Sequence, residues 1–422
     1  MSRTILARAN AAKTPEGFYG WRIVGYAALA FAATGPGQTA GVSVFVDPLI
    51  RDLGMSRSAV STAYLIGTLA GALALPWVGR ALDRYGIRRT MAVIGAAFGG
   101  VLVALSMISG IVGLTAGFVG IRMAGQGALG LTATTAAALW FDRRRGTASG
   151  IVTGLGAVGI SLTPLIAEAL IADYGWRTAW LLCGVGVWLV VLPIALWGMR
   201  DRPAVLGQWP DGHVPPDAAA AERAMAAGVD RRTAIRHPFF WVVTAGVATV
   251  GLLATAVAFH QISLLGARGL SPAEAAANFV PQTVAALTGT LVVGALADRI
   301  RHRWLIAGAM AALAGALVLG TAVTPGVVAI AFGALVGAAG GGMRAVEVAT
   351  FPHYFGTRHI GSIRGLVAAL SVASTAFGPL LFAVGRDLTG SYTTLLLASA
   401  PLPVLVGAAA FVVRPPVRVG AS

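Results

Sequence analysis

The sequence predicts an all-α polytopic membrane protein whose twelve transmembrane helices form two six-helix pseudo-repeats. Hydrophobic residues make up 57% of the 422 residues and charged residues only 11%, whereas about a quarter of the residues in a soluble protein are charged. Many apolar stretches reach about 20 residues, the length at which a helix crosses a ~30 Å hydrocarbon core. In addition, a charged motif recurs later in the chain, which indicates a duplicated unit.

The apolar stretches set the order of the elements. The linker between the two bundles is rich in Pro, Asp and Arg and contains no spanning run, and a short surface helix is expected around Ala218–Ala227. The twelve predicted spans, one to twelve, lie near 21–46, 58–78, 90–110, 112–139, 147–172, 178–198, 239–262, 272–297, 304–323, 325–351, 361–385 and 392–413. They predict terminal tails at 1–20 and 414–422, six-helix bundles at 21–198 and 239–413, and the linker at 199–238.

The formal net charge of +15 is explained by membrane topology. Of the 31 Lys and Arg residues, 24 fall on the tails or on loops on the same side of the membrane as the termini. Five fall on the opposite side (Arg51, Arg57, Arg177, Arg268 and Arg386), and two fall inside spans (Arg122 and Arg344). By the positive-inside rule both termini are therefore expected in the cytoplasm. The basic charge then does not indicate a nucleic-acid partner. We expect no cleavable signal peptide, because polar residues precede the first apolar run and no cleavage site follows it.

The charged motif and its copy relate the two halves. The stretch "GRALDRYGIRR" at Gly79–Arg89 has a counterpart, "GALADRIRHRW", that begins at Gly294. One offset of 215 residues connects Gly79 with Gly294, Asp83 with Asp298, Gly150 with Gly365 and Gly175 with Gly390. Four landmarks at one offset without gaps predict duplication of a six-span unit, an organisation typical of secondary transporters with a site between the repeats.

These motifs resemble those of the major facilitator superfamily. "GRALDRYGIRR" is similar to its loop 2–3 signature, G-x-x-x-D-R/K-x-G-x-R/K-R/K, and the copy is similar to the loop 8–9 version, with Arg301 in place of the second Gly. "IRMAGQGALG" in span four and "RGTASGIVTGLGAVGISLTP" in span five also resemble family patterns. The resemblance implies the major facilitator fold, a central cavity lined by spans one, four, seven and ten, and transport by alternating access.

Three further stretches resemble the monocarboxylate and oxalate:formate branch of that superfamily. They are "EGFYGWRIV" before span one, "WFDRRRGTASG" in loop 4–5 and "RPAVLGQWPDG" in the linker. Two features of that branch are missing, because 272–296 contains no Arg for span eight and Pro36–Thr39 contains no Lys for span one. The substrate of that branch is therefore not assigned to this chain.

The loop 2–3 motif and its copy are predicted to form a gate on the cytoplasmic side. A carboxylate at Asp83 can pair with a neighbouring Arg and cap the N–H groups of an adjacent helix end, while glycines allow a tight turn. The alternative is that the arginines only mark topology. The resemblance implies that the network latches the halves together when the carrier faces outward. The predicted gate residues are Gly79, Asp83, Arg84, Gly86, Arg88, Gly294, Asp298 and Arg299.

Ionisable residues inside the spans are few, and each is costly in lipid unless it faces a partner or a cavity. Arg122 and Arg344 are candidates for binding an anion, although each is equally compatible with a structural role, Arg344 through an i, i+3 pair with Glu347. The predicted substrate-binding residues are Arg122, Arg344, Gln38, Gln126, His260 and Gln282, and the predicted coupling residues are Glu347 and Glu168.

The sequence therefore predicts a secondary transporter in a bacterial cytoplasmic (inner) membrane, and no enzyme. It lacks the P-loop of ATP-driven transporters and the motifs HExxH, CxxC and G-x-S-x-G, and its one cysteine, Cys183, excludes a Cys-rich metal site. No cofactor or metal is expected, and a monomer is expected.

Two cavity-side arginines favour a small organic anion as the substrate, moved together with protons or by exchange. The alternative is efflux of drug-like or amphipathic compounds by proton antiport.

Overall fold

The computed structural model describes residues 17–141, 144–209, 211, 229–297, 299–356 and 360–416. Every regular element in these ranges is a helix, which confirms the predicted all-α class. Within the described residues, eight helices are long and apolar enough to cross a membrane, and one of them, Thr147–Gly198, contains spans five and six. Spans one and four are divided into shorter helical pieces. The surface helix predicted around Ala218–Ala227 lies outside the described residues.

The six spans of the N half are joined by short turns. Span one consists of two helices separated by a 3₁₀ turn, and span four contains a π-helical segment at its centre. Spans two and three form one helical run that turns at residue 86, and spans five and six form another that turns at residue 175. The bounds are Gly20–Ala32, Gly35–Gly37 and Thr39–Leu53 for span one, Arg57–Leu105 for spans two and three, Ile111–Ile121, Arg122–Leu129 and Gly130–Trp140 for span four, and Arg145–Pro193 with Ile194–Gly198 for spans five and six.

The spans of the C half follow the linker, whose described regular elements are Pro203–Leu206 and Arg231–Arg236. Spans seven and ten are continuous α-helices, unlike spans one and four of the N half. Several helices run a few residues beyond the predicted spans, because apolarity marks the hydrocarbon core whereas a helix can continue past it. The bounds are Pro238–Gly266 for span seven, Pro272–Ala277 and Phe279–Ala297 for span eight, His302–Gly320 for span nine, Val327–Phe355 for span ten, Ile360–Thr389 for span eleven, and Tyr392–Ser399 and Pro401–Val412 for span twelve.

The turn between spans two and three depends on a glycine that its repeat counterpart lacks. Gly86 has φ 80° and ψ 172°, a conformation that residues with a Cβ rarely adopt. The residue 215 positions later is Arg301, which has φ −58° and precedes span nine in a different conformation. The duplicated motif therefore makes two different turns.

The breaks in spans one and four lie against each other and allow close backbone contact. A Cβ on Gly37, in the 3₁₀ turn, would lie 2.7 Å from the carbonyl oxygen of Ile121 and 3.3 Å from the Cα of Gly125. Only glycine fits at such a distance. The contact places the π-helical segment that begins at Arg122 beside the turn, and π-helical segments are frequent at functional sites.

The two halves pack together through spans one and seven, two and eleven, and five and eight. We call the face that carries the first and last described residues the proximal face, and the opposite face the distal face. At the distal face the Ser58 hydroxyl donates a hydrogen bond to the Asp387 carboxylate across the halves. The rings of Tyr64 and Phe259 also meet across the halves, with centroids 4.5 Å apart. The distal ends of the halves are therefore in contact.

Candidate functional site

Arg122 is the buried cation of span four. Its side chain is 3% exposed, and its Nε donates to Thr68 Oγ1 at 3.1 Å while one terminal nitrogen donates to the carbonyl oxygen of Gly37 at 3.3 Å. That carbonyl is available because span one is broken at the Gly35–Gly37 turn. The arginine is thus held by span two on one side and by the break in span one on the other.

An aromatic ring completes the surroundings of this arginine. The guanidinium carbon of Arg122 lies 4.7 Å from the ring centroid of Tyr64, within the range of a cation–π interaction. The Tyr64 hydroxyl lies 2.5 Å from Thr39 Oγ1, which fixes the ring against span one. None of the ion pairs between described residues involves Arg122. Among these residues, its charge is stabilised by neutral groups, namely the hydroxyl of Thr68, the carbonyl of Gly37 and the ring of Tyr64.

A cavity of about 190 Å³ opens beside Arg122, between the two halves. Thr68, Arg122 and Gln126 line it from the N half, and Val372 and Thr375 of span eleven line it from the C half. The Gln126 side chain is exposed to this space. The structure therefore brings together two of the predicted substrate residues, Arg122 and Gln126, with a hydroxyl from each half.

Two other predicted substrate residues, Gln38 and Gln282, form hydrogen bonds within the protein. Gln38 ends the 3₁₀ turn of span one and donates to Thr34 Oγ1 at 2.9 Å. Gln282 donates to Gln261 Oε1 at 2.5 Å and to Asn278 Oδ1 at 3.2 Å within a buried amide network of the C half. That network gives the side-chain amide nitrogen of Gln282 two acceptors within the protein.

His260 is packed between spans seven and eleven. It is 1% exposed, and its Nε2 lies 2.8 Å from the carbonyl oxygen of Pro379. The rings of Phe259, Phe382 and Tyr392 surround it. The structure thus places His260 in the core of the C half and not among the residues that line the Arg122 cavity.

The charged residues of span ten separate in the structure. Arg344 is exposed and forms no ion pair with another described residue. Glu347 is paired instead with span eleven, where Arg364 Nε lies 3.4 Å from Glu347 Oε1. Arg344 and Glu347 therefore do not form the intrahelical pair that their spacing suggested, because Glu347 faces the neighbouring helix.

Glu168 lies in a second cavity between the halves, at the distal face. This cavity measures about 450 Å³ and is lined by Asp47, Arg51, Arg57 and Glu168 from the N half and by Ile262 and Ser263, among others, from the C half. Arg57 forms an ion pair with Asp47. Sequence reasoning did not single out Asp47, Arg57 or the Ser58–Asp387 contact, because these residues lie at the ends of spans, where charge is common.

The predicted gate residues are only partly described. Asp298 and the side chain of Asp83 lie outside the described residues, and Gly79 lies within the helix of span two. Arg84, Arg88, Gly294 and Arg299 are exposed. Gly86 makes the turn already described.

The linker supplies two helix caps that sequence reasoning missed. Asp201 Oδ1 accepts a hydrogen bond from the backbone N–H of Arg88 at 2.9 Å, at the start of span three. Asp211 Oδ1 accepts one from the N–H of Arg144 at 3.3 Å, at the start of span five. Carboxylates stabilise helix N-termini by satisfying N–H groups and opposing the helix dipole. The linker is thereby fastened to the proximal face of the N half.

Comparisons with known proteins agree with this architecture. The family model described as Major Facilitator Superfamily matches residues 23–276. Monocarboxylate transporter 11 of Homo sapiens is 28% identical over 423 residues, which cover 92% of this chain and 81% of that protein. The uncharacterized MFS-type transporter YcxA of Bacillus subtilis (strain 168) is 26% identical over 165 residues, which cover 38% of this chain and 39% of that protein.

The fold is shared with a solved structure. A bacterial homologue of the human lysosomal transporter Spinster, in an inward-facing and unoccupied conformation, superposes with a TM-score of 0.71 over 95% of this chain and 98% of that one, at 17% sequence identity. Membership in a family of transporters also confirms the prediction that the chain is not an enzyme. The family match covers more than half of the chain and the fold agrees along its length, so the chain is a multi-pass membrane transporter of the Major Facilitator Superfamily.

Proposed function

We propose that the protein is a secondary active transporter that moves a small organic anion, a monocarboxylate or a similar compound, across the cytoplasmic membrane. The observation that carries the proposal is Arg122, a buried cation beside a cavity between the halves, with no carboxylate partner among the described ion pairs. A buried charge without a counterion is costly. A carboxylate substrate would supply that counterion when it enters.

The donors around Arg122 suit a carboxylate. Two bonds of its guanidinium go to Thr68 and Gly37, and a guanidinium has further N–H groups with which to bind carboxylate oxygens. Gln126, Thr68 and Thr375 add neutral polar groups to the same cavity. The volume of about 190 Å³ equals about six water volumes of ~30 Å³ each, which favours a molecule with few carbon atoms.

The name of the human relative supports this substrate class. That protein is called monocarboxylate transporter 11, and its similarity to this chain extends over 92% of the chain. Arg344 on span ten is the second cation that we assign to the substrate path, because it is exposed and lies on the helix predicted to line the cavity from the C half.

Alternating access requires the distal contacts to open. In this structure Ser58 and Asp387 bond across the halves, and Arg57, next to Ser58 in the chain, is paired with Asp47. We assign these residues to a distal gate. On the proximal side, which we take as cytoplasmic with both termini, the loop 2–3 motif with Asp83 and its copy with Asp298 form the opposing gate.

Proton coupling is assigned to the two acidic residues inside the spans. Glu168 borders the distal cavity between the halves, and Glu347 forms an ion pair with Arg364 of span eleven. Protonation of either carboxylate would weaken its attraction to nearby arginines, so both can couple a proton to rearrangement of the helices.

Uptake into proteoliposomes tests the proposed function. Radiolabelled carboxylates of increasing length are offered to vesicles containing the purified protein, with a pH gradient, without one, and with unlabelled carboxylate inside. Saturable uptake that is accelerated by a gradient or by internal substrate, and is absent from empty vesicles, is the expected result. Transport of amphipathic cations with no uptake of, or competition by, any carboxylate would overturn the proposal.

A further inference from the structure

A second feature of the N half, separate from the Arg122 cavity, is a groove between spans two, three and four. It measures about 630 Å³, and all of its described lining residues belong to the N half. Trp77, Tyr85, Val93 and Met123 line it with exposed side chains. Since no described residue of the C half lines the groove and these four side chains are exposed, we place the groove on the outer surface of the N half, which would face the membrane.

The groove has the length of a lipid chain segment in one leaflet. It extends along span two from Trp77 to Tyr85, eight residues that correspond to about 12 Å at the rise of an α-helix. Half of the hydrocarbon core measures roughly 15 Å. The groove is therefore comparable in length to half of the hydrocarbon core, and it lies at the proximal membrane surface, since predicted span two ends at 78 and predicted span three begins at 90.

The proximal end of the groove is cationic and aromatic. Arg89 lines it and has an exposed side chain, so its aliphatic stem can cover the groove while the guanidinium reaches the surface. Arg84 and Arg88 nearby are also exposed, and the guanidinium carbon of Arg84 lies 5.3 Å from the ring centroid of Tyr85. Arginines and aromatic rings at this level are typical of contacts with lipid headgroups.

We propose that this groove binds an anionic phospholipid of the proximal leaflet. One acyl chain lies between Trp77 and Val93, and Arg89, with Arg84 and Arg88, binds the headgroup phosphate. The inference depends on the membrane-spanning fold and not on the identity of the transported substrate.

A larger groove provides the contrast. Between spans eight and ten lies an apolar groove of about 1120 Å³, whose one charged lining residue among those described is Glu274. An anionic headgroup would be repelled there. The cation at the end of the smaller groove, and not its volume or apolar character, therefore identifies it as the site for an anionic lipid.

Native mass spectrometry of the purified protein tests this inference. The full chain is released from mixed micelles containing equal amounts of phosphatidylglycerol and phosphatidylcholine, and bound lipid is counted for the wild type, Arg89→Gln, Val93→Trp and Arg301→Gln. Arg301 is the matched control, since it is an exposed arginine of loop 8–9. Thermal unfolding and elution as a single species show that each variant is folded.

The wild type is expected to retain phosphatidylglycerol preferentially. Arg89→Gln should lower that retention about five-fold, as expected for one interfacial arginine, Val93→Trp should lower it by filling the groove, and Arg301→Gln should leave it unchanged. Equal retention of both lipids, or an equal loss in Arg301→Gln and Arg89→Gln, would overturn the inference. So would a protein dimer that forms without bound lipid and is lost in Val93→Trp, because a second copy would then occupy the groove.

Discussion

The guanidinium of Arg122 donates through Nε to the hydroxyl oxygen of Thr68 at 3.1 Å, which joins span four to span two beside the cavity between the halves. Thr68 is itself buried and donates to the carbonyl oxygen of Tyr64 at 2.9 Å. The hydroxyl therefore accepts from the arginine and donates to its own helix. This arrangement orients the charge toward the cavity.

Replacing Thr68 with Val should weaken substrate binding while leaving the protein folded. Val has a similar shape but no acceptor, so the buried Nε–H of Arg122 would lose its partner, at a cost of roughly 1–3 kcal/mol. We expect KM for uptake to rise several-fold. Thr68→Ser retains the acceptor and is the matched control. An unchanged KM in Thr68→Val would show that the contact does not position the arginine.

Removing the Ser58–Asp387 contact should favour opening of the distal face. One hydrogen bond contributes on the order of 0.5–1.5 kcal/mol, so Ser58→Ala should increase access to the distal cavity about two- to ten-fold. The measurement is labelling of Ser263→Cys by a membrane-impermeant maleimide in a Cys183→Ser background, since Ser263 lines that cavity.

The control for this experiment is Asp52→Asn. Asp52 is a distal carboxylate that pairs with Arg177 of the same half at 3.2 Å, so its loss should leave the labelling rate unchanged. If Ser58→Ala and Asp52→Asn label alike, the Ser58–Asp387 contact does not hold the distal face closed.

Asp201→Ala should lower the thermal stability of the protein. The carboxylate caps span three through the N–H of Arg88, and loss of a helix cap costs about 1 kcal/mol. Asp201→Asn retains a capping oxygen and should unfold near the wild-type temperature. Asp173→Ala removes an exposed carboxylate near the turn at Gly175 and controls for the change in charge. Equal unfolding temperatures for Asp201→Ala and Asp173→Ala would contradict the capping role.

Asp83→Asn should slow transport without changing substrate affinity. In the proposed mechanism its carboxylate holds the proximal gate in the conformation that opens to the distal side, so neutralisation alters the rate of interconversion and not the binding site. The maximal uptake rate should fall, while the Kd of the substrate stays within about two-fold of the wild-type value. A two-fold change in Kd corresponds to less than ~0.5 kcal/mol of binding free energy. A kinetically silent Asp83→Asn would exclude the gate role.

The sequence predicted the fold more fully than the contacts of the site. Apolar length and the 215-residue offset depend on local composition and on duplication, and both identify the spans without knowledge of packing. Arg122 was recognisable because a charge inside an apolar span is rare. Its partner Thr68 was not, because the two are 54 residues apart and the rotation of each helix is set by packing.

Two other residues show the same limit. The spacing of Arg344 and Glu347 suggested a pair within span ten, but Glu347 faces Arg364, because spans ten and eleven pack together. Asp201 lies in a linker without periodicity, so nothing in its local sequence indicates that it caps span three. Pairings between distant segments follow from tertiary packing and required the structure.

The most direct test of the central claim is equilibrium binding of the transported carboxylate to purified wild-type protein and to Arg122→Gln, by titration calorimetry. Loss of a hydrogen bond between charged groups costs roughly 1.5–3 kcal/mol, so Kd should rise about ten-fold or more in Arg122→Gln. Arg177→Gln, a change at the distal surface, should bind like the wild type. Wild-type affinity in a folded Arg122→Gln would contradict the assignment of Arg122 as the anion-binding residue.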